Sequence, residues 1–171
     1  VFSANADVNA ALNPSKKLAY GFEMTHNELK SIGYSQNLVV DKNTIIGLTD
    51  YTLIPSRYPS IGGYYTTLAA YVDYKWNLDE KNTLNAGTRL TNTRLKAEWS
   101  EQALVDSRLG KTTNKSNALN MSFGYVYRPN DQWEFRSVLA GGFRAPNIDD
   151  IGKIREKQGK LTVPNPELRP E

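Results

Sequence analysis

The chain has 171 residues, with 21 basic against 18 acidic side chains and a formal charge of +3. So even a balance excludes the basic footprint of a nucleic-acid-binding domain, and the absence of cysteine excludes disulfides and thiolate metal sites. Mean hydropathy is −0.56 and no apolar run nears the roughly 18 residues of a membrane helix, which leaves strands as the means of crossing a bilayer, since alternation keeps average hydropathy low. The sequence opens in mid-pattern at Val1. It is therefore read as an internal piece of a longer protein, and the lack of a leader says nothing about compartment.

Phe2, Ala4, Ala6, Val8, Ala10 and Leu12 alternate with Ser3, Asn5, Asp7 and Asn9, the period of a strand with one apolar face. Asn13-Pro14-Ser15 is a tight turn, Pro presetting φ. A second strand over 17–25 puts Leu18, Tyr20, Phe22 and Met24 on its apolar face. Residues 26–60 lose periodicity and read as a long loop, with room for a short hairpin over 37–46. A third strand, 63–77, aligns Tyr64, Leu68, Ala70, Val72, Tyr74 and Trp76. After a turn at 78–82 a fourth aligns Leu84, Ala86, Thr88 and Leu90. Past Asn92 the apolar phase moves to Leu95, Ala97 and Trp99, as a β-bulge would move it. A second long loop, 100–115, precedes a fifth strand over 116–128 carrying Leu119, Met121, Phe123, Tyr125 and Tyr127. The turn 129–132 leads to a sixth strand with Trp133, Phe135, Leu139 and Phe143, and a third long loop occupies 145–171.

The expected fold is all-β: an antiparallel up-and-down meander of about six strands in three hairpins. Short turns gather at one end and long loops at the other. Strands one, three, four and five read as roughly 12–16 residues, well beyond the usual 5–6 and enough to cross hydrocarbon at a tilt. Aromatic side chains stand at the strand ends of the apolar face: Tyr20, Tyr74, Trp76, Tyr125, Tyr127 and Trp133 near the short turns, Tyr64, Trp99 and Phe143 near the long loops. Such rings suit the two interfaces of a bilayer, because one end is apolar and the other wet. The opposite face mixes Asp7, Lys17, Glu23, Asp73, Lys75, Arg89, Glu134 and Arg136 with small polar residues, which a wet lumen tolerates and a dry core does not. The pattern therefore favours part of a transmembrane β-barrel. A soluble β-sandwich binding module is the competing reading, and it requires Trp76, Tyr127 and Trp133 to be buried. Six strands fall short of the eight that close a single-chain membrane barrel. The isolated fragment is thus expected to self-associate through its open strand edges.

The end of the chain is more specific. Phe143-Arg144-Ala145-Pro146, followed after a loop by Asn165-Pro166-Glu167-Leu168-Arg169-Pro170-Glu171, resembles the two boxes that bracket an extracellular loop in TonB-dependent outer-membrane receptors. The extended run FRAPNIDDIGK is similar to versions from Bacteroidota. The resemblance implies a roughly 22-stranded barrel closed by an N-terminal plug, set in the outer membrane of a Gram-negative bacterium. It also implies uptake of an extracellular ligand driven by TonB acting on the plug, and the plug is absent from this sequence. Residues 1–171 are then one partial barrel domain.

What is taken up stays open among siderophore-iron, haem, a cobalamin and a glycan. In haem receptors of this kind a histidine between the boxes binds the metal, and 147–164 contains none. His26, Arg144 and Arg155 are the candidate ligand-contacting residues. For His26 the plain alternative is a solvated loop histidine; for the boxes it is a structural role, the prolines holding the chain extended before the next strand. No cofactor or metal is expected. No catalytic constellation is present: Asp149-Asp150 has no histidine or cysteine beside it, and Gly141-Gly142 is not a phosphate loop. The chain is not read as an enzyme. A passive porin- or adhesin-like barrel is the alternative to a receptor, and an upstream plug would separate the two.

Overall fold

The computed structural model describes residues 1–54, 56, 58–100, 110–151, 155–162, 165 and 167–171, with backbone only at 155–157 and 161. In chain order the strands begin with β1 (Phe2–Asn13), β2 (Lys16–Leu29), β3 (Gly33–Ser35), β4 (Leu38–Asp41), β5 (Thr44–Leu48) and β6 (Thr52–Ile54). They continue with β7 (Gly62–Asn77), β8 (Asn82–Glu98), β9 (Lys111–Asn130) and β10 (Trp133–Ala140). One helical turn, α1 (Ile148–Ile151), and the pair β11 (Arg155–Lys157) and β12 (Lys160–Thr162) follow. The six long strands form one antiparallel sheet in the order β1-β2-β7-β8-β9-β10. The meander expected from periodicity is therefore present, and among the described residues β1 and β10 are its edges.

The register shows why the alternation was so regular. Cross-strand partners line up in rows, one being Phe2, His26, Thr66, Arg94 and Lys115. Rows of one parity carry the apolar face and the others the polar face. On the apolar face the hydrophobic band does not run along a row. Its upper margin falls from Phe2 on β1, through Met24 and Leu68, to Leu90 and Leu119 on β8 and β9. That is a slip of about four residues, about 13 Å, across four strand spacings of about 19 Å, a slope of about 35°. The lower margin, from Leu18 through Trp76 to Tyr127, slopes by about 40°. Both match the tilt of strands in membrane barrels, about 35–45°. Along β7 the band spans Leu68 to Trp76, about 26 Å of strand and roughly 21 Å of height, close to the ~25 Å apolar belt of such barrels.

Nothing among the described residues covers this band. Phe22, Leu90, Leu119, Phe123 and Trp133 are all exposed, and Trp76 and Tyr127 are 37% and 38% exposed. The sandwich reading needed these rings inside a second layer, and the sheet has none among the described residues. Tyr127, Phe135 and Trp133 stack in series at the lower edge, and Lys16 lies over the Trp76 ring at 4.9 Å, a cation–π contact at the expected interface.

Several boundaries differ from expectation. β2 continues to Leu29, paired with β7 up to Gly63, so His26 sits in a strand instead of a loop. The stretch read as the loop 26–60 holds two nested antiparallel pairs, β3 with β6 and, within it, β4 with β5. The tip Lys42-Asn43 has positive φ at both residues, as a tight hairpin turn requires. β9 starts at Lys111, and β8 pairs with it from Asn82 to Glu98, which shortens the loop placed at 100–115; residues 101–109 lie outside the described residues. β10 ends at Ala140, before Phe143, and 145–171 contains α1 and the β11–β12 pair.

The phase change at Asn92 is the most informative correction. β8 has no bulge: its register to both neighbours is unbroken from Thr83 to Glu98. The apolar residues do not return to the first face. They cross to the other one. Below Asn92 the outward positions are Leu84, Ala86, Thr88 and Leu90; above it they are Arg94, Lys96 and Glu98. Inward, Arg89 and Thr91 give way to Leu95 and Ala97, with Trp99 just past the strand end. The strand outlasts the membrane belt, so its outer side becomes wet while its inner side acquires a core.

Candidate functional site

Two places on the inner side carry chemistry. The first is the polar wall at the height of the apolar belt. Asp7, Gly21, Tyr71, Arg89 and Asn120 form one row across five strands. Gly21 has no side chain, and Tyr71 reaches over it to donate its hydroxyl to Asp7, joining β7 to β1 across β2. A Cβ at Gly21 would lie 2.5 Å from Asp7 Oδ1 and 2.7 Å from the Tyr71 oxygen, so glycine is what permits the bridge. Arg89 donates to Glu23 at 2.5 Å, with both side chains still partly open. One row down, Asp73 lies over Gly87 beside Ser122, and below that Lys17, Lys75 and Asn85 share a row. The wall is thus a set of polar and charged rows, with Arg89–Glu23 its ion pair, around hollows of about 570 Å³ and 280 Å³.

The second place is the upper rim, where the two boxes lie. Leu95, Ala97, Trp99 and Ile151 are each 2% exposed or less and form one cluster, with Tyr65, Ile148 and Leu168 packed against it. The motif is built to deliver these side chains. Pro146 is buried and stops the extended segment. Asn147 caps α1: its Oδ1 accepts from the Asp150 N–H at 3.0 Å, and Asp150 Oδ2 accepts from the Asn147 N–H at 3.1 Å, a reciprocal capping arrangement. Arg144 reaches Asp150 at 3.3 Å. Tyr58 donates to Asp149 at 3.0 Å, tying in the preceding loop. With the turn so fixed, Ile148 and Ile151 point at β8.

The second box closes onto the first. Asn165 Oδ1 accepts from the Glu167 N–H at 3.0 Å, and the carbonyl of Leu168, whose side chain enters the cluster, accepts from Asn114 Nδ2 at 3.1 Å. Glu171 then exchanges two backbone hydrogen bonds with Arg144, at 3.0 and 3.1 Å, as antiparallel neighbours do. A small cleft of about 110 Å³ separates the boxes, bordered by Arg144, Pro146, Asp150, Leu168, Arg169 and Glu171. Phe143 and Ala145 are half-buried; Pro166 lies outside the described residues.

Of the three candidate ligand contacts, Arg144 is paired with Asp150, and the side chain of Arg155 lies outside the described residues. His26 is on the outward face: Nδ1 is 2.7 Å from Thr66 Oγ1, Nε2 is 3.2 Å from Glu28, and the ring packs on Tyr64 at 5.7 Å. It does not face the lumen. Among the expected interface aromatics, Tyr20, Tyr64, Tyr74, Trp76, Tyr125, Tyr127 and Trp133 occupy the apolar-face register. Trp99 does not; it is 2% exposed on the inner side, because the strand keeps its phase. Phe143 lies beyond β10. The cluster itself was missed by sequence reasoning, although the phase change at Asn92 was its signal. Among the described residues no group of three or more His, Cys, Asp or Glu is placed to hold a metal.

A tilted meander with one lipid-competent face, one polar face, short turns at one end and structured loops at the other is the wall of a transmembrane β-barrel. The TonB dependent receptor-like, beta-barrel family matches residues 2–171, and the chain belongs to that family, a transporter family of the Gram-negative outer membrane. No curated protein is a significant match to the chain.

Proposed function

We propose that this chain is barrel wall from a receptor that takes up a scarce nutrient actively, with TonB acting through a plug to open the path. The reading is carried by the family match across residues 2–171. The charged ladder of Asp7, Tyr71, Glu23 and Arg89 supports it, because a plugged or wet lumen needs such a wall. The ligand, a chelated metal, a cofactor or a glycan, is met from outside by the long loops. Among the described residues, the β3–β6 region offers exposed contact surface: Tyr34, Val40, Ile45, Ile46 and Tyr51 are all 55% exposed or more. Histidine ligation of haem by this chain is not part of the reading, since its single histidine hydrogen-bonds Thr66 beside Tyr64.

The test is uptake by the full-length receptor in cells lacking their own copy. Nutrient-limited growth is expected to need both the receptor and TonB, and to fall when residues 33–54 are replaced by a short Gly-Ser turn. Uptake that persists without TonB would convert the protein into a passive barrel.

A further inference from the structure

We propose that the outward-facing pair Arg94 and Lys115 binds the phosphate of an outer-leaflet lipid headgroup. The two are direct cross-strand partners on β8 and β9. Like charges directly opposed in a sheet repel, and both are exposed with no hydrogen-bond or ion-pair partner among the described residues. Neighbouring charges are treated differently. Lys96, one row above, and Lys111, one row higher and directly opposite Glu98, share that carboxylate at 2.8 and 3.4 Å, and those bonds, the one from Lys96 foremost, hold its carboxyl below the usual carboxylate range. Glu28, the next acid along this face, lies against His26. The Arg94–Lys115 pair is left as a two-pronged cation without an anion.

Its height selects the anion. Directly below it Asn92 and Asn117 hydrogen-bond each other at 2.6 Å, and below those stand Leu90 and Leu119, the top of the apolar belt. Four residues of tilted strand raise the pair about 10 Å above those leucines, within side-chain reach of the headgroup layer, which adds about 5–7 Å to each side of the hydrocarbon. A phosphate anchored there by its own acyl chains meets the pair at high local concentration. A free anion has no such advantage. This rests on the apolar face meeting lipid, part of the membrane reading above.

The experiment uses the full-length receptor in detergent, with bound lipid read by native mass spectrometry. The probes are diphosphoryl lipid A, the same lipid stripped of its phosphates, and inorganic phosphate. The wild type is expected to prefer the phosphorylated lipid. Arg94→Gln with Lys115→Gln is expected to weaken that binding about thirtyfold, each cation contributing about fivefold. Lys115→Glu guards against a folding artefact, since it turns the repulsive pair into an attractive one. It should fold at least as well as wild type and still lose the lipid. Equal affinity for both lipids, unchanged binding in either variant, or displacement of lipid by equimolar inorganic phosphate would overturn the proposal. Neither side chain faces the lumen, so uptake measured on the same variants reports on the transport reading separately.

Discussion

Ile151→Ala tests whether the rim motif is an anchor. Ile151 is fully buried against Leu95, Ala97 and Trp99, and the substitution removes three carbons. At about 0.8 kcal/mol per buried methylene, plus the hole left behind, the loss is about 2–4 kcal/mol. The loss should be local, because α1 joins the sheet through this cluster while the membrane rows pair independently of it. Local openings are governed by the free energy of the element that opens, so amides over 143–151 should lose protection at least about thirtyfold. Hydrogen exchange on the full-length receptor in nanodiscs reads this directly, with 18–24 in β2 as the internal reference. Unchanged exchange over 143–151 in a folded variant would refute the anchoring argument. So would an equal loss in β2, which would make the cluster part of the global fold.

Trp99 Nε1 is buried with no partner among the described residues; Trp99→Phe removes that orphan donor and should leave the thermal midpoint nearly unchanged, whereas Leu95→Ala should lower stability by about 2–5 kcal/mol. Gly21→Val puts a Cβ 2.7 Å from the Ala6 carbonyl, and overpacking of this kind costs about 1–3 kcal/mol; the heat-induced gel-shift midpoint should fall, while Gly47→Ala, which meets open space, leaves it in place. Asp79 in the β7–β8 turn accepts from the Asn82 side chain and from the Lys81 and Asn82 backbone N–H groups, which holds its pKa below the ordinary value, the Asn82 side chain foremost. A depressed folded pKa stabilises above the ordinary value, about 3.9, and that contribution is lost as pH falls through the folded one. The Lys81 and Asn82 amide resonances should therefore shift with a midpoint below 3.9, and Asp79→Ala should abolish the transition. Refolded alone in detergent, the 171-residue chain should run as oligomers through the β1 and β10 edges; a monodisperse monomer by light scattering would contradict that.

The membrane half of the fold was legible because one physical signal governs it. Period-two alternation sets the face of every residue, and the unbroken register carries that assignment from Phe2 to Lys115. The end-of-chain boxes were legible as a resemblance, but their mechanics were not. That Asn147 caps α1 and Arg144 meets Asp150 depends on a turn closing in three dimensions, and no periodicity announces it. The Tyr71–Asp7 bridge was likewise invisible. Its partners are 64 residues apart, and only the register brings them to the two sides of Gly21. His26 was misplaced because polar residues after Met24 look like the start of a loop. A strand that outruns its membrane continues in the same conformation with polar neighbours.

That last point also explains the phase change. A strand inside a bilayer must be apolar outward, while a strand above it faces water outward and can be apolar only inward. The exchange at Asn92 therefore marks where β8 leaves the hydrocarbon, without any break in its backbone. A bulge would have kept Leu95 and Trp99 outward, stranding them in water above the belt. Continuous register turns them into a seat for Ile148 and Ile151 from one side of the last loop and Leu168 from the other. The loop between the boxes is thereby fixed at both feet, at Arg144 and Glu171. On the proposed uptake role the boxes need no contact with ligand: they set where the loop begins and ends, and a loop held at its base presents its tip from a constant position.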